Sequence, residues 1–64
     1  MLANNDIREY AKKRGVKLYE VSAVMNKSQS YLTRKLYFEL PQDEKQKIFD
    51  IIDQIAAEKE NAAD

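Results

Sequence analysis

The stretch that decides the fold is residues 18–37, LYEVSAVMNKSQSYLTRKLY. It reads as a short helix over residues 18–25, a tight turn at Asn26 and a second helix over residues 28–38. Val21, Met25, Leu32 and Leu36 are spaced so that both helices close on one core. Asn26 tolerates the left-handed backbone such a turn requires, because its short amide can bond locally. Ser22 is small enough to let the helices approach closely, and Ser28 is a good N-cap. The outer face of the second helix then carries Gln29, Ser30, Thr33 and Arg34, with Lys27 just before it and Lys35 beside it. Hydrogen-bonding and cationic side chains on one exposed helix are what contact with base edges and phosphates requires. The plain alternative for the same residues is a solvated polar helix face.

Outward from this pair, two more helices are expected. One covers residues 5–14, capped by Asn4 or Asn5, with Asp6 at its N-terminal dipole and Lys12, Lys13 and Arg14 at the other end. Ile7, Tyr10 and Ala11 face inward, and Gly15 stops the helix where a left-handed residue is wanted. Before residue 18, Val16 and Val21 are placed as a hydrophobic staple, and Glu20 can reach back to the Lys17 amide. Leu40-Pro41 breaks the chain. The last helix spans residues 42–60, with Asp43 and Glu44 at its N-terminus and fraying expected over residues 61–64. Its stripe is Ile48, Ile51, Ile52 and Ile55, widened by Phe49 and Ala56. The simplest use of that stripe is an intramolecular core joining Ile7, Val21, Met25, Leu32 and Leu36. A second use, as the seam of a homodimer through Ile48, Phe49, Ile52 and Ile55, stays open. The architecture is therefore all-α, one compact four-helix domain with its paired motif in the centre.

Composition sets limits. Sixty-four residues allow one domain, close to the lower size at which a core folds without staples. With no Cys and no His, disulfides, thiolate zinc sites and His-based acid–base chemistry are excluded. Asp43, Glu44, Asp50 and Asp53 imitate paired catalytic carboxylates, but nothing beside them completes a mechanism; no enzyme, cofactor or metal site is expected. No apolar run approaches the roughly 18 residues of a membrane span, and the N-terminus lacks a signal-peptide core, so a cytoplasmic protein is expected. Tyr10, Tyr19, Tyr31 and Tyr37 read as core-edge aromatics with wet hydroxyls, Tyr19 and Tyr31 within reach of phosphate.

Net charge is zero, yet the charge is polarised. Residues 1–40 hold eight Lys/Arg against four Asp/Glu, and residues 41–64 hold three Lys against seven. Phosphate contact depends on the local field, so the N-terminal half suits nucleic acid despite the neutral total.

On these residues the chain resembles the phage repressor/Cro-like helix-turn-helix family, the Xre-type or lambda-repressor-like domains, over about residues 5–40. The resemblance implies a central helix-turn-helix at residues 18–37 whose second helix enters the major groove of double-stranded DNA. Ser28, Gln29 and Ser30 of its first turn, and Thr33 and Arg34 one turn on, would then meet bases and phosphates. Lys27 and Lys35 would hold the backbone. Ser22 stands where the family has Ala, Asn26 where it has Gly, Lys27 where it has an apolar residue, and Leu18 where it often has a phosphate-touching Gln. Beyond residue 40 a single long acidic helix replaces two short ones, so the family's mode of pairing is not implied. The chain looks like the very small transcription regulators of phage and bacterial mobile elements. The alternative is a protein-interaction module of the same fold, such as an antirepressor, using the acidic helix or the polar face to bind another regulator.

Overall fold

Gly15 and Asn26 divide the first part of the chain, and both do so by the same device. In the computed structural model, which describes residues 3–62, four helices follow in order: α1 (Asn5–Arg14), α2 (Leu18–Val24), α3 (Gln29–Lys35) and α4 (Gln42–Ala62). Among these residues there is no strand, and the all-α expectation holds. Gly15 (φ 72°) and Asn26 (φ 59°) are both left-handed. After Gly15 the Val16 N–H returns to Ala11 O at 2.8 Å, and after Asn26 the Lys27 N–H returns to Ser22 O at 2.9 Å. Each closes a helix by satisfying carbonyls that would otherwise be orphaned. Open space surrounds Gly15, so what excludes a larger residue there is its backbone angle rather than crowding. Lys17 offers no side-chain acceptor to α2, and the expected return bond appears instead: the Lys17 N–H donates to Glu20 Oε1 at 2.9 Å.

α4 packs across α1 and α2, and α2 packs against α3. The core joins Ile7 and Ala11 of α1, Val16, Val21 of α2, Leu32 and Leu36 of the α3 segment, and Ile48, Ile52, Ile55 and Ala56 of α4. Met25 lies at its edge rather than inside it. Of the residues considered for a homodimer seam, Ile48, Ile52 and Ile55 are only 2%, 0% and 6% exposed and pack into the core of their own chain. Phe49 is half-buried, its ring edge-on to Tyr10 at 5.1 Å, a favoured aromatic geometry. Tyr10 is also the one tyrosine at the core edge; Tyr19, Tyr31 and Tyr37 are 57%, 37% and 67% exposed, against expectation.

Four helix ends also differ, two of them by a single residue: α2 ends at Val24 and α3 begins at Gln29. α4 continues to Ala62, so residues 61 and 62 are helical; residues 63 and 64 lie outside the described residues. α3 ends at Lys35 with Leu36 as its C-cap, three residues earlier than residue 38. The cause is Asn4. It occupies the N-cap position of α1 in left-handed conformation (φ 58°), but its side chain caps nothing there. Fully buried, it donates from Nδ2 to the carbonyls of Leu36 (3.0 Å) and Phe38 (2.8 Å) and accepts from the Leu40 N–H (2.9 Å). Its own N–H donates to Glu39 Oε1 at 2.9 Å. The chain after Leu36 is thus shaped by a residue near the N-terminus, which supplies the partners that a longer helix would have supplied.

Lys45 reinforces the same junction. It is buried, and its Nζ donates to Asp6 Oδ2 at 3.0 Å and to a carboxylate oxygen of Glu39. A buried ammonium is tolerable only when paired in this way. The Asp6 carboxyl is held below its usual value first by the Lys45 hydrogen bond, and that of Glu39 first by the Asn4 N–H and then by Lys45. Lys45 is held above its usual value, first by Glu39 and then by Asp6. For the two acids, the stabilisation is complete above the ordinary carboxylate range and is lost as pH falls through their lowered values. For Lys45 it is complete below the ordinary lysine range and lost as pH rises through its raised value. Replacing Lys45 with Met is therefore expected to flatten the acid limb of a melting-temperature-against-pH curve without removing it, since the Asn4 bond to Glu39 remains. An acid limb as steep as the parent's would contradict this account of the junction.

Candidate nucleic-acid interface

The candidate interface is the outer side of α3, which is held by a cap at its start and by two leucines along its inner side. At the start, Ser28 in extended conformation accepts the Tyr31 N–H on Oγ at 3.1 Å. Leu32 and Leu36, each 1% exposed, anchor the inner side. Helical spacing then turns Ser30 and Arg34 directly outward, with Gln29 and Thr33 along one flank. All four are exposed, and among the described residues none of their side chains takes part in an intramolecular hydrogen bond or ion pair. These donors and acceptors are presented to solvent on a helix that is itself fixed.

The seven expected site residues fall into three groups. Gln29, Ser30, Thr33 and Arg34 form the presented face. Ser28 is exposed but its oxygen is engaged in capping α3. Lys27 and Lys35 belong to a small cationic cluster built on Tyr31, whose ring centroid lies 5.3 Å from Lys27 Nζ and 5.8 Å from Lys35 Nζ. Such contacts hold a cation over an aromatic face at modest gain on an exposed surface. Lys35 is half-buried and also lies 3.5 Å from Glu44 Oε1 of α4, so it is the less available of the two. Tyr31 was legible as part of this cluster, since residues 27, 31 and 35 recur at four-residue intervals; its ring was instead assigned to the core edge.

Electrostatics reinforce the polarity of the chain rather than erasing it. Two lysines of α4 take up three of the four acids in residues 1–40: Lys45 holds Asp6 and Glu39, and Lys59 holds Glu20 at 2.7 Å. Conversely, Arg14 reaches Asp53 (3.5 Å) and Glu60 (3.8 Å), and Lys35 reaches Glu44. The Glu20 carboxyl sits below its usual value, first through Lys59 and then through the Lys17 N–H. Tyr10 is pushed above its usual value first because its hydroxyl donates a hydrogen bond to the Asp53 carboxylate, which favours the protonated phenol. Among the described residues this leaves Arg8, Lys12, Lys13, Lys17, Lys27 and Arg34 of the N-terminal half without an ion pair.

Two further surface features were not anticipated. Tyr37 and Phe38, in the turn after α3, are 67% and 80% exposed, a pair of aromatic rings standing in solvent. Among the described residues no set of carboxylates is spaced to hold a metal ion, and no helix is long and apolar enough to cross a membrane. Comparison with protein-family models, with curated proteins and with solved structures finds no match to this chain.

Proposed function

We propose that this chain is a small sequence-specific DNA-binding regulator of the repressor-like helix-turn-helix kind, placing α3 in the major groove. The observation that carries the reading is the unengaged face of Gln29, Ser30, Thr33 and Arg34 on a helix held by a cap and two buried leucines. An α-helix with its side chains is about 10–12 Å across, a diameter that the major groove, about 12 Å wide, admits. Gln29 reads a base edge, with adenine as its geometric match, and Arg34 reads guanine or clamps a phosphate. Lys27, steadied over Tyr31, contacts the backbone. Lys27 at the close of the α2 turn favours the same reading, because an apolar residue there would remove a cation from the rim of α3.

The test begins with selection of bound duplexes from a random-sequence pool, followed by titration of the preferred site. Gln29→Ala is expected to relax preference at one base position, costing about 1–3 kcal/mol on the selected site and little elsewhere. Lys27→Ala is expected to weaken all duplexes alike and to lower the salt slope by about one unit. One observation favours a second reading, a protein-interaction module such as an antirepressor: the exposed Tyr37–Phe38 pair is the kind of apolar surface that partners cover. If no duplex is selected at low salt, while Phe38→Ser abolishes capture of a regulator partner, the second reading replaces the first.

A further inference from the structure

Past Lys35 the chain leaves the α-helix but goes on winding. Leu36 keeps right-handed helical backbone (φ −83°, ψ 0°), and the Tyr37 N–H donates to Arg34 O at 3.2 Å. A tighter turn is thereby added to the C-terminal end of α3. Tyr37 follows Arg34 by three residues and Ser30 by seven, so it falls on the outward line those two residues form. Tyr37 and Phe38 are 67% and 80% exposed. Together they give the polar face of α3 an apolar end.

The turn that carries the rings is pinned on both sides of the pair. Asn4 holds the carbonyls of Leu36 and Phe38 and the Leu40 N–H. A ring presented on a fixed backbone has little freedom left to lose on contact, which favours binding.

Charge and area decide what the rings meet. Among the described residues Arg34 forms no ion pair, and Lys27 and Lys35 stand over Tyr31 further back on the same helix. The acid next to the pair, Glu39, is occupied by the Asn4 N–H and by Lys45. Such surroundings suit a polyanion. At their observed exposures the two side chains offer roughly 300 Å². A stable protein interface needs about 800 Å² from each partner, whereas a single DNA-binding module buries about 600–1,000 Å² in all. The patch is too small to hold a protein by itself, and it is the right size to lengthen the surface of α3.

We propose that Tyr37 and Phe38 continue the α3 contact along the major groove and cover the 5-methyl group of a thymine. The inference rests on the DNA-binding reading of α3 and adds to it a base that the polar residues do not read. Thymine alone among the four bases presents a methyl group in that groove, so it is the base an aromatic pair distinguishes. At about 1.5 Å per residue, the eight residues from Gln29 to Tyr37 span about 12 Å, or about three to four base steps of about 3.4 Å. The thymine is expected at that distance from the base pair that Gln29 reads.

The experiment titrates the intact chain with its selected duplex and with copies in which each thymine in turn is replaced by deoxyuridine. Deoxyuridine pairs identically and lacks only the methyl group. One such replacement, about three to four steps from the position relaxed by Gln29→Ala, is expected to weaken binding about fourfold, the worth of one buried methyl. Tyr37→Ala combined with Phe38→Ala is expected to bind both duplexes alike, with a thermal melt confirming its fold. Its salt slope is expected to equal the parent's, because an apolar contact releases no counterions. The deoxyuridine series on the parent chain needs no variant, so an unstable variant does not spare the proposal. A selected site without thymine in that window, or a series in which no replacement weakens binding, overturns the proposal. So does a loss that persists in the double variant. Where Gln29→Ala still relaxes one position in those cases, the reading of α3 stands; where no duplex is selected at low salt, both fall. Self-association of the free chain in sedimentation, removed by Phe38→Ser, assigns the rings to a second copy and overturns the proposal as well.

Discussion

Replacing Asn4 with alanine is expected to lower stability by about 2–4 kcal/mol, a large share of the few kcal/mol a domain of this size commands. The Asn4 side chain serves three backbone groups that no other residue serves: the carbonyls of Leu36 and Phe38 and the N–H of Leu40. Each buried polar group left without a partner costs about 1–3 kcal/mol, and water can reach those nearest the surface. Alanine also fits the left-handed backbone at this position poorly, at a further cost of about 1–2 kcal/mol. Glycine separates the two contributions, because it loses the bonds but accepts the backbone angle; it is expected to melt above the alanine variant and below the parent. Asn4→Asp keeps the shape but removes both donors and sets a carboxylate against two carbonyls, so it is expected to be no better than alanine. Urea denaturation followed by far-UV circular dichroism measures all three. An alanine variant with the parent's midpoint would show that the α3–α4 junction does not depend on Asn4.

Leu32→Ala is expected to cost about 2–5 kcal/mol and to leave the chain at the margin of folding. Leu32 is 1% exposed and anchors α3 from its inner side, in one core with Ile7, Val21, Ile48 and Ile52. The loss combines the transfer energy of the removed atoms with that of the cavity left behind. α3 is the helix with most to lose, since its packing runs chiefly to α2. On the proposed reading, the affinity of α3 for DNA is therefore expected to fall with its stability, unlike the effect of Gln29→Ala, which leaves the fold alone. A Leu32→Ala chain that melts with the parent would show that the core has been misassigned.

What could be read from the sequence divides along a physical line. The ends of α1 and α2 were legible because their determinants are local: Gly15 and Asn26 carry the left-handed turns, Glu20 reaches back to Lys17, and Ser28 caps α3 within three residues. The C-terminal end of α3 was not, because the residue that ends it stands 32 positions away. An asparagine four residues into the chain reads as a helix cap; only the fold reveals that its amide faces Leu36 and Phe38 instead. The Ile stripe of α4 was legible as apolar, but periodicity does not say whether a stripe meets its own chain or a second copy, and here burial answers for its own chain. The tyrosines were misjudged for a related reason. An amphipathic ring suits a core edge or an open surface equally, and for Tyr31 the choice is made by Lys27 and Lys35 on either side.

The candidate face itself was legible residue by residue, since Gln29, Ser30, Thr33 and Arg34 needed only the position of Leu32 and Leu36 to be placed outward. Its neighbours were not. The pairing of Lys35 with Glu44 and the capping role of Ser28 reduce the free face from seven residues to a smaller group around Arg34 and Gln29.

The most direct test of the central claim is amide chemical-shift mapping of the labelled chain with its selected duplex, repeated at rising salt. The account predicts a contiguous set of shifts over residues 27–35, with affinity falling log-linearly with salt. Shifts confined to α4 or to Tyr37 and Phe38, or no duplex-dependent shift at low salt, would contradict it.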